Sequence, residues 1–108
     1  MIHELRIYTA APGRLPELMA RFRDHTLALF EKHGITNVGY WTNSIGGRND
    51  ELWYILGFDS LAHREVAWAE FAKDPEWLKV RAESEANGPL LSYLENRILN
   101  PTNFSPLH

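Results

Sequence analysis

The feature that constrains this chain most is a run of five apolar residues, Leu-Trp-Tyr-Ile-Leu, at positions 52–56. Its length and its aromatic and β-branched content favour a short strand. Side chains alternate between the two faces of a strand, so a strand that is apolar throughout has to be covered on both sides. A chain of 108 residues makes one domain, residues 1–108, with a modest core. The run therefore predicts the central strand of a single sheet.

A second strand is predicted over residues 3–9, where polar and apolar side chains alternate. Leu5 and Ile7 belong to one face of this strand. Three polar side chains share the other face: Glu4, Arg6 and Tyr8. A carboxylate, a guanidinium and a phenol on one face of a central strand make it a candidate site.

The other elements follow from periodicity and from capping residues. Apolar residues recur every three or four positions before Gly34, which predicts one helix. Ser60 and Asp74 are good helix N-caps, and Pro75 suits a first helical position. The predicted strands are 3–9, 35–45, 51–59 and 90–99, with a hairpin at 46–50, helices over 14–33 and from 60 onwards, a break at 74–75, and a tail at 100–108.

The order β-α-β-β-α-β predicts a ferredoxin-like α+β fold. In that topology a four-stranded antiparallel sheet carries both helices on one face, and strands one and three are central. The other face would be open, yet strand three is apolar on both sides. The chain also has four Trp, four Tyr and five Phe, more than a small core readily hides. We therefore expect two copies to pair through their sheets as a homodimer.

Composition excludes several classes of protein. The net charge is −3, the pI is about 5.9, and no Lys/Arg-rich run occurs, which argues against nucleic-acid binding. Without cysteine there is no disulfide, thiolate nucleophile or zinc–thiolate site. No apolar run approaches the roughly 20 residues that span a bilayer. The N-terminal residues lack the features of a signal peptide, so we expect a cytoplasmic protein with no membrane partner.

Six residues are candidates for a ligand pocket. Arg6 could clamp an anion and Tyr8 could donate a proton, whereas the alternative is that Arg6 is neutralised by nearby carboxylates and only joins strands. His25 lies near the border of the apolar stripe of the first helix and could face a cavity between sheet and helix. Three aromatic side chains could line a pocket for a flat ligand or simply pack: Tyr40, Trp41 and Tyr54.

The five histidines form no close pair with a carboxylate, and no HExxH motif occurs. The sequence therefore predicts no metal and no tightly bound cofactor. Gly-x-Ser-x-Gly is also absent, and Gly46-Gly47 suits a hairpin better than a phosphate-binding loop.

Strands one and four should lie antiparallel, and one register would align three pairs on a single face: Glu4 with Arg97, Arg6 with Glu95 and Tyr8 with Tyr93. Each pair would contribute about 0.2–1 kcal/mol, so this ladder would fix the register more than the stability. It would make Arg6 at least partly structural. The same register places the polar Asn96 opposite the apolar Leu5 and does not explain this pairing.

Short stretches in order along the chain share a family pattern. They are 4–9 (Glu-Leu-Arg-Ile-Tyr-Thr), 12–13 (Pro-Gly), 39–42 (Gly-Tyr-Trp-Thr), 45–46, 49–53, 60–64 (Ser-Leu-Ala-His-Arg), 74–77 (Asp-Pro-Glu-Trp), 98–101 and 104–106. Together they resemble the NIPSNAP family of the dimeric α+β barrel superfamily. The family offers no agreed catalytic motif to carry over. The resemblance implies a homodimer with a pocket beside each sheet, in a superfamily that includes cofactor-free monooxygenases and haem-degrading enzymes.

Two functions stay open. The first is a small-molecule binder or enzyme, such as a cofactor-independent oxygenase of aromatic compounds. The second is a non-catalytic dimeric module whose aromatic surplus serves assembly. An open cavity of roughly hundreds of Å³ would favour the first, and a cavity filled by its own side chains would favour the second.

Overall fold

The computed structural model describes residues 1–107 and contains one antiparallel sheet with helices packed on one face. The strands are β1 (Ile2–Ala10), β2 (Thr36–Trp41), β3 (Glu51–Phe58) and β4 (Leu91–Leu99). The helices are α1 (Leu15–Arg21), α2 (Leu27–Lys32), α3 (Leu61–Ala72) and α4 (Pro75–Ser84). The strand order is β2-β3-β1-β4. The predicted ferredoxin-like α+β fold is confirmed, with β1 and β3 in the centre.

The core lies between the sheet and the helices. Alternate residues of β3 face it and are almost completely buried: Leu52, Tyr54, Leu56 and Phe58. Aligned with them on β1 are Glu4, Arg6 and Tyr8. The polar face of the first strand is therefore the face that the helices cover, and its charged groups have to find partners there.

The opposite sheet face carries no helix and is largely apolar. Trp53 and Ile55 of β3 and Leu5 of β1 are partly exposed on it, and Ile7 is buried among them. At its edge the Trp41 side chain is 52% exposed. Among residues 1–107 the structure thus leaves an open apolar sheet face, as the run at 52–56 predicts.

The first helix is not one regular α-helix, because a π-helical turn, Phe22–Thr26, joins α1 to α2. A π turn takes more residues per revolution than an α turn. The Thr26 side chain is only 2% exposed, and its hydroxyl donates to the backbone oxygen of Arg21 at 3.2 Å. None of the helices formed by residues 1–107 has the length and apolar character needed to cross a membrane.

The loop between β2 and β3 is longer than predicted, since β2 ends at Trp41 and not at residue 45. The side-chain amide of Asn43 donates to the backbone oxygen of Arg48 at 2.7 Å and closes the loop. Gly46 and Gly47 lie in this loop with φ of 84° and 71°, and glycine adopts such positive φ values without steric cost. This hydrogen bond from the Asn43 side chain therefore closes the loop at a point where β2 no longer pairs with β3.

The predicted ladder between β1 and β4 is wrong by one residue of register. On the face towards the helices the observed pairs are Glu4 with Ile98, Arg6 with Asn96 and Tyr8 with Leu94. A shift of one residue moves every side chain of a strand to the other face. Glu95, Arg97 and Tyr93 consequently lie on the open face, where Glu95 faces Ile7 and Arg97 faces Leu5.

The burial of the covered face explains this register. The predicted register would place two more charged side chains, Glu95 and Arg97, beneath the helices, where burying a charge costs several kcal/mol. The observed register keeps both charges on the open face and brings the neutral side-chain amide of Asn96 to 2.8 Å from Glu4. Asn96 thereby gains a role that the predicted register did not give it.

Candidate functional site

The polar centre beneath the helices is built around the Glu4 carboxylate, which is fully buried. Arg64 donates to both of its oxygens, from Nε at 2.8 Å and from Nη2 at 3.0 Å. The indole of Trp68 donates at 3.0 Å and Asn96 at 2.8 Å. Arg6 completes the set, with Nη1 at 2.7 Å. Donors from β1, α3 and β4 thus converge on one carboxylate.

This arrangement keeps Glu4 ionised. Burial would raise its pKa, but the hydrogen bonds from Arg64, Asn96 and Trp68 and the charge of Arg6 lower the pKa to about 2. The carboxylate is therefore an acceptor with its lone pairs in use. It orients the side chains around it and is not available as a general base.

Arg6 is held from several directions. Its Nε donates to the Tyr54 hydroxyl at 2.8 Å, its Nη2 donates to the Tyr8 hydroxyl at 3.0 Å, and its Nη1 binds Glu4. The guanidinium also lies over the Trp68 ring, 4.7 Å from the centroid. Burial opposes its charge, yet the oxygens of Tyr54, Tyr8 and Glu4 raise the pKa of Arg6 above its ordinary value. The structural interpretation of Arg6 fits these contacts, whereas the anion clamp does not.

A cavity of about 370 Å³, which we call the aromatic cavity, opens between the helices and the β1–β4 side of the sheet. Six of the residues that line it are aromatic: Tyr8, Phe22, Phe30, Trp68, Phe71 and Trp77. Neighbouring rings pack edge to face, with centroids 5.5 Å apart for Phe30 and Trp68 and 5.6 Å apart for Trp68 and Phe71. The cavity is open and is not filled by its own side chains.

One end of the aromatic cavity is charged. Arg21 of α1 lines it, although its side chain is only 7% exposed, and its guanidinium lies 5.2 Å from the centre of the Trp77 ring. Burial lowers the pKa of Arg21 from its ordinary value. At the end of α4, Arg81 donates from Nε to Glu85 at 3.0 Å, and Glu85 lies 3.7 Å from Arg21.

The six residues predicted for a pocket lie in different parts of the structure. Tyr8 lines the aromatic cavity, and Arg6 and Tyr54 lie behind it in the core. Tyr40 stacks on Tyr54 with centroids 5.1 Å apart. It lines a second, more apolar hollow beside the first helix, near Met19. Of the six candidates, Tyr8 therefore borders the aromatic cavity directly.

His25 and Trp41 lie away from the aromatic cavity. His25 is exposed on the π turn and borders a polar groove of about 570 Å³ between α1 and α4. Thr26 faces the core and His25 faces the groove between the helices, so the expectation that His25 faces a cavity between sheet and helix is wrong. Trp41 pairs with Trp53 on the open sheet face. It borders no space beneath the helices.

Sequence reasoning missed Arg21, Trp68 and Trp77. Arg21 follows Leu18 by three positions and so shares its helical face, which is a signal that was available. Trp68 follows Arg64 by four positions, but nothing in α3 alone connects either residue to Glu4. Within residues 1–107 no three His, Cys, Asp or Glu side chains come together as a metal site would require.

Comparison with known proteins gives a consistent result. The family model named NIPSNAP matches residues 3–106. Protein NipSnap homolog 3B of Mus musculus is 33% identical over 75 residues, which are 69% of this chain and 30% of that protein. The chain thus spans about 30% of the length of the curated relatives it matches.

Solved structures extend the comparison. A NIPSNAP family protein from Agrobacterium tumefaciens has a TM-score of 0.87 and 30% identity, over 99% of this chain and 98% of that one. SnoaB, a cofactor-independent oxygenase from Streptomyces nogalater, has a TM-score of 0.64 and 16% identity, over 97% and 96% of the two chains. At that identity the likeness to SnoaB shows the fold alone. Since the family model covers nearly every residue, the chain belongs to the NIPSNAP family.

Proposed function

We propose that this protein binds a small molecule with a flat apolar body in the aromatic cavity. The observation that carries the proposal is the cavity itself, about 370 Å³ of open space walled by aromatic rings with a buried guanidinium at one end. Binding sites for small molecules are typically concave, mostly apolar, and supplied with a few polar groups.

The walls of the cavity are supported from behind, which favours binding. Trp68 is fixed by its hydrogen bond to Glu4 and by the Arg6 guanidinium over its ring. Phe71 packs between Trp68 and Trp77, with the Phe71 and Trp77 centroids 4.8 Å apart. Rings already held in place lose little conformational entropy when a ligand enters. The Glu4 centre therefore acts as a support for the binding wall.

We also propose that two copies pair through the open sheet face. Trp53, Ile55 and Leu5 form an apolar surface there, and Tyr93 at its edge is 62% exposed. Glu95 and Arg97 lie on the same face and make no ion pair within residues 1–107. A second copy would cover the apolar surface and offer each of these charges a partner.

An oxygenase reaction without a cofactor is a second candidate function. The observation that favours it is the Tyr8 hydroxyl, which lies at the cavity wall and accepts a hydrogen bond from Arg6. Dioxygen uptake with 1-naphthol above the protein-free rate, reduced by Tyr8→Phe and unchanged by the exposed Tyr93→Phe, would support this candidate. Uptake equal to the protein-free rate would reject it and leave binding as the function.

The binding proposal is tested by following the four indole N–H resonances of ¹⁵N-labelled protein during titration with 1-naphthalenemethanol. Trp68 and Trp77 line the aromatic cavity, whereas Trp41 and Trp53 lie on the other sheet face. We expect the first two resonances to shift with saturation and the other two to stay fixed. Trp77→Leu should weaken binding, and Trp41→Leu is the matched control. Shifts confined to Trp41 and Trp53 would contradict the proposal, and so would the absence of shifts with both this alcohol and 1-naphthoate.

A further inference from the structure

Arg21 is a buried cation whose charge and hydrogen-bond donors are only partly satisfied by the groups around it. Its Nη1 donates to the Ser84 hydroxyl at 3.2 Å. Within residues 1–107, the one carboxylate near it belongs to Glu85 and lies at 3.7 Å, beyond hydrogen-bond distance. Its Nε is buried and has no hydrogen-bond partner in the described part of the chain. A buried donor without an acceptor is costly, and Arg21 borders both the aromatic cavity and the polar groove beside His25.

Glu85 cannot fully compensate Arg21, because Arg81 competes for it. The same Glu85 oxygen, Oε2, accepts from Arg81 Nε at 3.0 Å, closer than Arg21 comes. Among residues 1–107, the charged groups that line the aromatic cavity are these two guanidinium groups and this carboxylate. Two positive charges and one negative charge leave a single positive charge in the wall.

The unmatched charge lies at the edge of the apolar wall. The Arg21 guanidinium is 5.2 Å from the centre of the Trp77 ring, and Trp77 is continuous with the rings of Phe71 and Trp68. A molecule packed on the Trp77 and Phe71 rings, which are inclined by 32°, would therefore bring a group at one end to Arg21. A guanidinium binds a carboxylate through paired hydrogen bonds, and burial strengthens such charge-assisted bonds.

We propose that the molecule bound in the aromatic cavity is a monocarboxylate with a flat apolar body, and that its carboxylate binds Arg21. The inference rests on the proposed function and adds the charge and polarity of the ligand. One negative charge matches the one unmatched positive charge. A phosphate dianion would bring an excess negative charge next to Glu85, and inorganic phosphate has no body for the aromatic wall.

Two naphthalene probes of the same shape test the proposal: 1-naphthoate and the neutral 1-naphthalenemethanol. Dissociation constants are measured at pH 7 by calorimetry, and the indole resonances of Trp68 and Trp77 report where each probe binds. We expect the wild-type protein to bind naphthoate about tenfold or more tightly than the alcohol. Inorganic phosphate alone should produce no shift of either resonance.

Two substitutions should change the preference for 1-naphthoate over 1-naphthalenemethanol in opposite directions. Arg21→Gln removes the cation and should make the two probes bind about equally. Glu85→Gln releases both guanidinium groups from the internal carboxylate and should tighten naphthoate binding several-fold, without change for the alcohol. Glu83→Gln, which is exposed near the end of α4, changes the net charge equally and is the matched control. Because Glu85→Gln tests a gain, the proposal stays testable even if Arg21→Gln fails to fold.

The outcomes separate this proposal from the binding proposal. If the alcohol binds as tightly as naphthoate in the wild type, or if Glu85→Gln and Glu83→Gln behave alike, the carboxylate inference is wrong while the cavity remains a binding site. If phosphate shifts the resonances and naphthoate does not, the ligand is a phosphate and the inference is wrong. If neither naphthalene probe binds, both proposals are overturned.

Discussion

At the scale of single residues, the buried Glu4 carboxylate holds several side chains in place, including Trp68 of the aromatic cavity. Its carboxylate accepts from Arg6, Arg64, Trp68 and Asn96, so four side chains from three elements take their positions from one buried charge. Removing one partner of a buried charge cluster costs far more than removing an exposed charge. The stability of this protein should therefore depend on the ionisation of Glu4.

Glu4→Gln should lower the free energy of unfolding at pH 7 by about 3 kcal/mol, because the pKa of Glu4 is about 2 in the folded protein and ordinarily 4.5. A depressed carboxyl pKa stabilises the fold fully above pH 4.5, and this contribution is lost as the pH falls towards 2. The difference between wild type and Glu4→Gln should therefore shrink over that range.

Urea unfolding at a series of pH values measures this difference. Asp74, whose pKa the hydrogen bonds from Lys32 and His33 lower, contributes equally to both proteins and cancels. Glu70→Gln, on the exposed side of α3, removes only an exposed ion pair with Lys73 and should change the stability by no more than about 0.5 kcal/mol at any pH. A gap between wild type and Glu4→Gln that stays constant from pH 7 to pH 3 would show that the carboxylate is not held ionised.

Sequence reasoning reached part of the site. Alternation in the first strand identified Glu4, Arg6 and Tyr8 as one face, and the structure confirms this grouping. It could not decide between a clamp and a structural role for Arg6, because the partners of Arg6 include Tyr54, which is 48 positions away in the chain. The spacing of Arg21 from Leu18 indicates the face of the helix on which it lies, but its contacts with Ser84 and Trp77 of α4 depend on long-range packing.

At the scale of elements, the register of β4 against β1 is the point where the prediction fails. The element order and strand order follow from periodicity and capping, which are local properties of the sequence. Register depends on which side chain can reach a buried group across two strands. Each aligned pair of the predicted register would contribute at most about 1 kcal/mol, and the cost of burying Glu95 and Arg97 beneath the helices outweighs that gain.

Asn96→Asp should destabilise the protein by about 2–4 kcal/mol at pH 7, because it places a second carboxylate within hydrogen-bond distance of Glu4. Glu95→Gln on the neighbouring position should change the stability by no more than about 0.5 kcal/mol. Chemical denaturation of both variants makes the comparison, with Asn103→Asp in the exposed tail as the control. The reverse ranking would favour the ladder register instead.

The π turn yields a prediction of its own. Thr26→Val keeps the shape of the side chain but removes the hydroxyl that donates to the Arg21 carbonyl, so we expect a loss of about 1 kcal/mol. The exposed Thr42→Val is the matched control. Thermal unfolding followed by circular dichroism measures both. Stability equal to that of the wild type would mean that the hydroxyl does not support the turn.

At the scale of the whole molecule, the two sheet faces differ in what covers them. One face is covered by helices and holds the aromatic cavity, and the other is open and apolar. Ile55→Lys, at the centre of the open face, should therefore convert a dimer into a monomer, because it places a charge in the proposed interface. Val66→Lys, on an exposed position of α3, should leave the dimer intact.

Sedimentation equilibrium at micromolar concentration distinguishes these cases. A wild-type protein that sediments as a monomer would refute pairing through the open face. Loss of the dimer in Val66→Lys, with retention in Ile55→Lys, would move the interface to the helical side of the molecule.

The proposed ligand is a flat apolar molecule between the helices and the β1–β4 side of the sheet. A crystal structure of the protein with 6-bromo-2-naphthoate tests this position, because the anomalous signal of bromine locates the ring without ambiguity. We expect a bromine peak among the rings of Phe30, Trp68 and Phe71, with the carboxylate directed at Arg21. A peak found only on the open sheet face, or only in the groove beside His25, would contradict it.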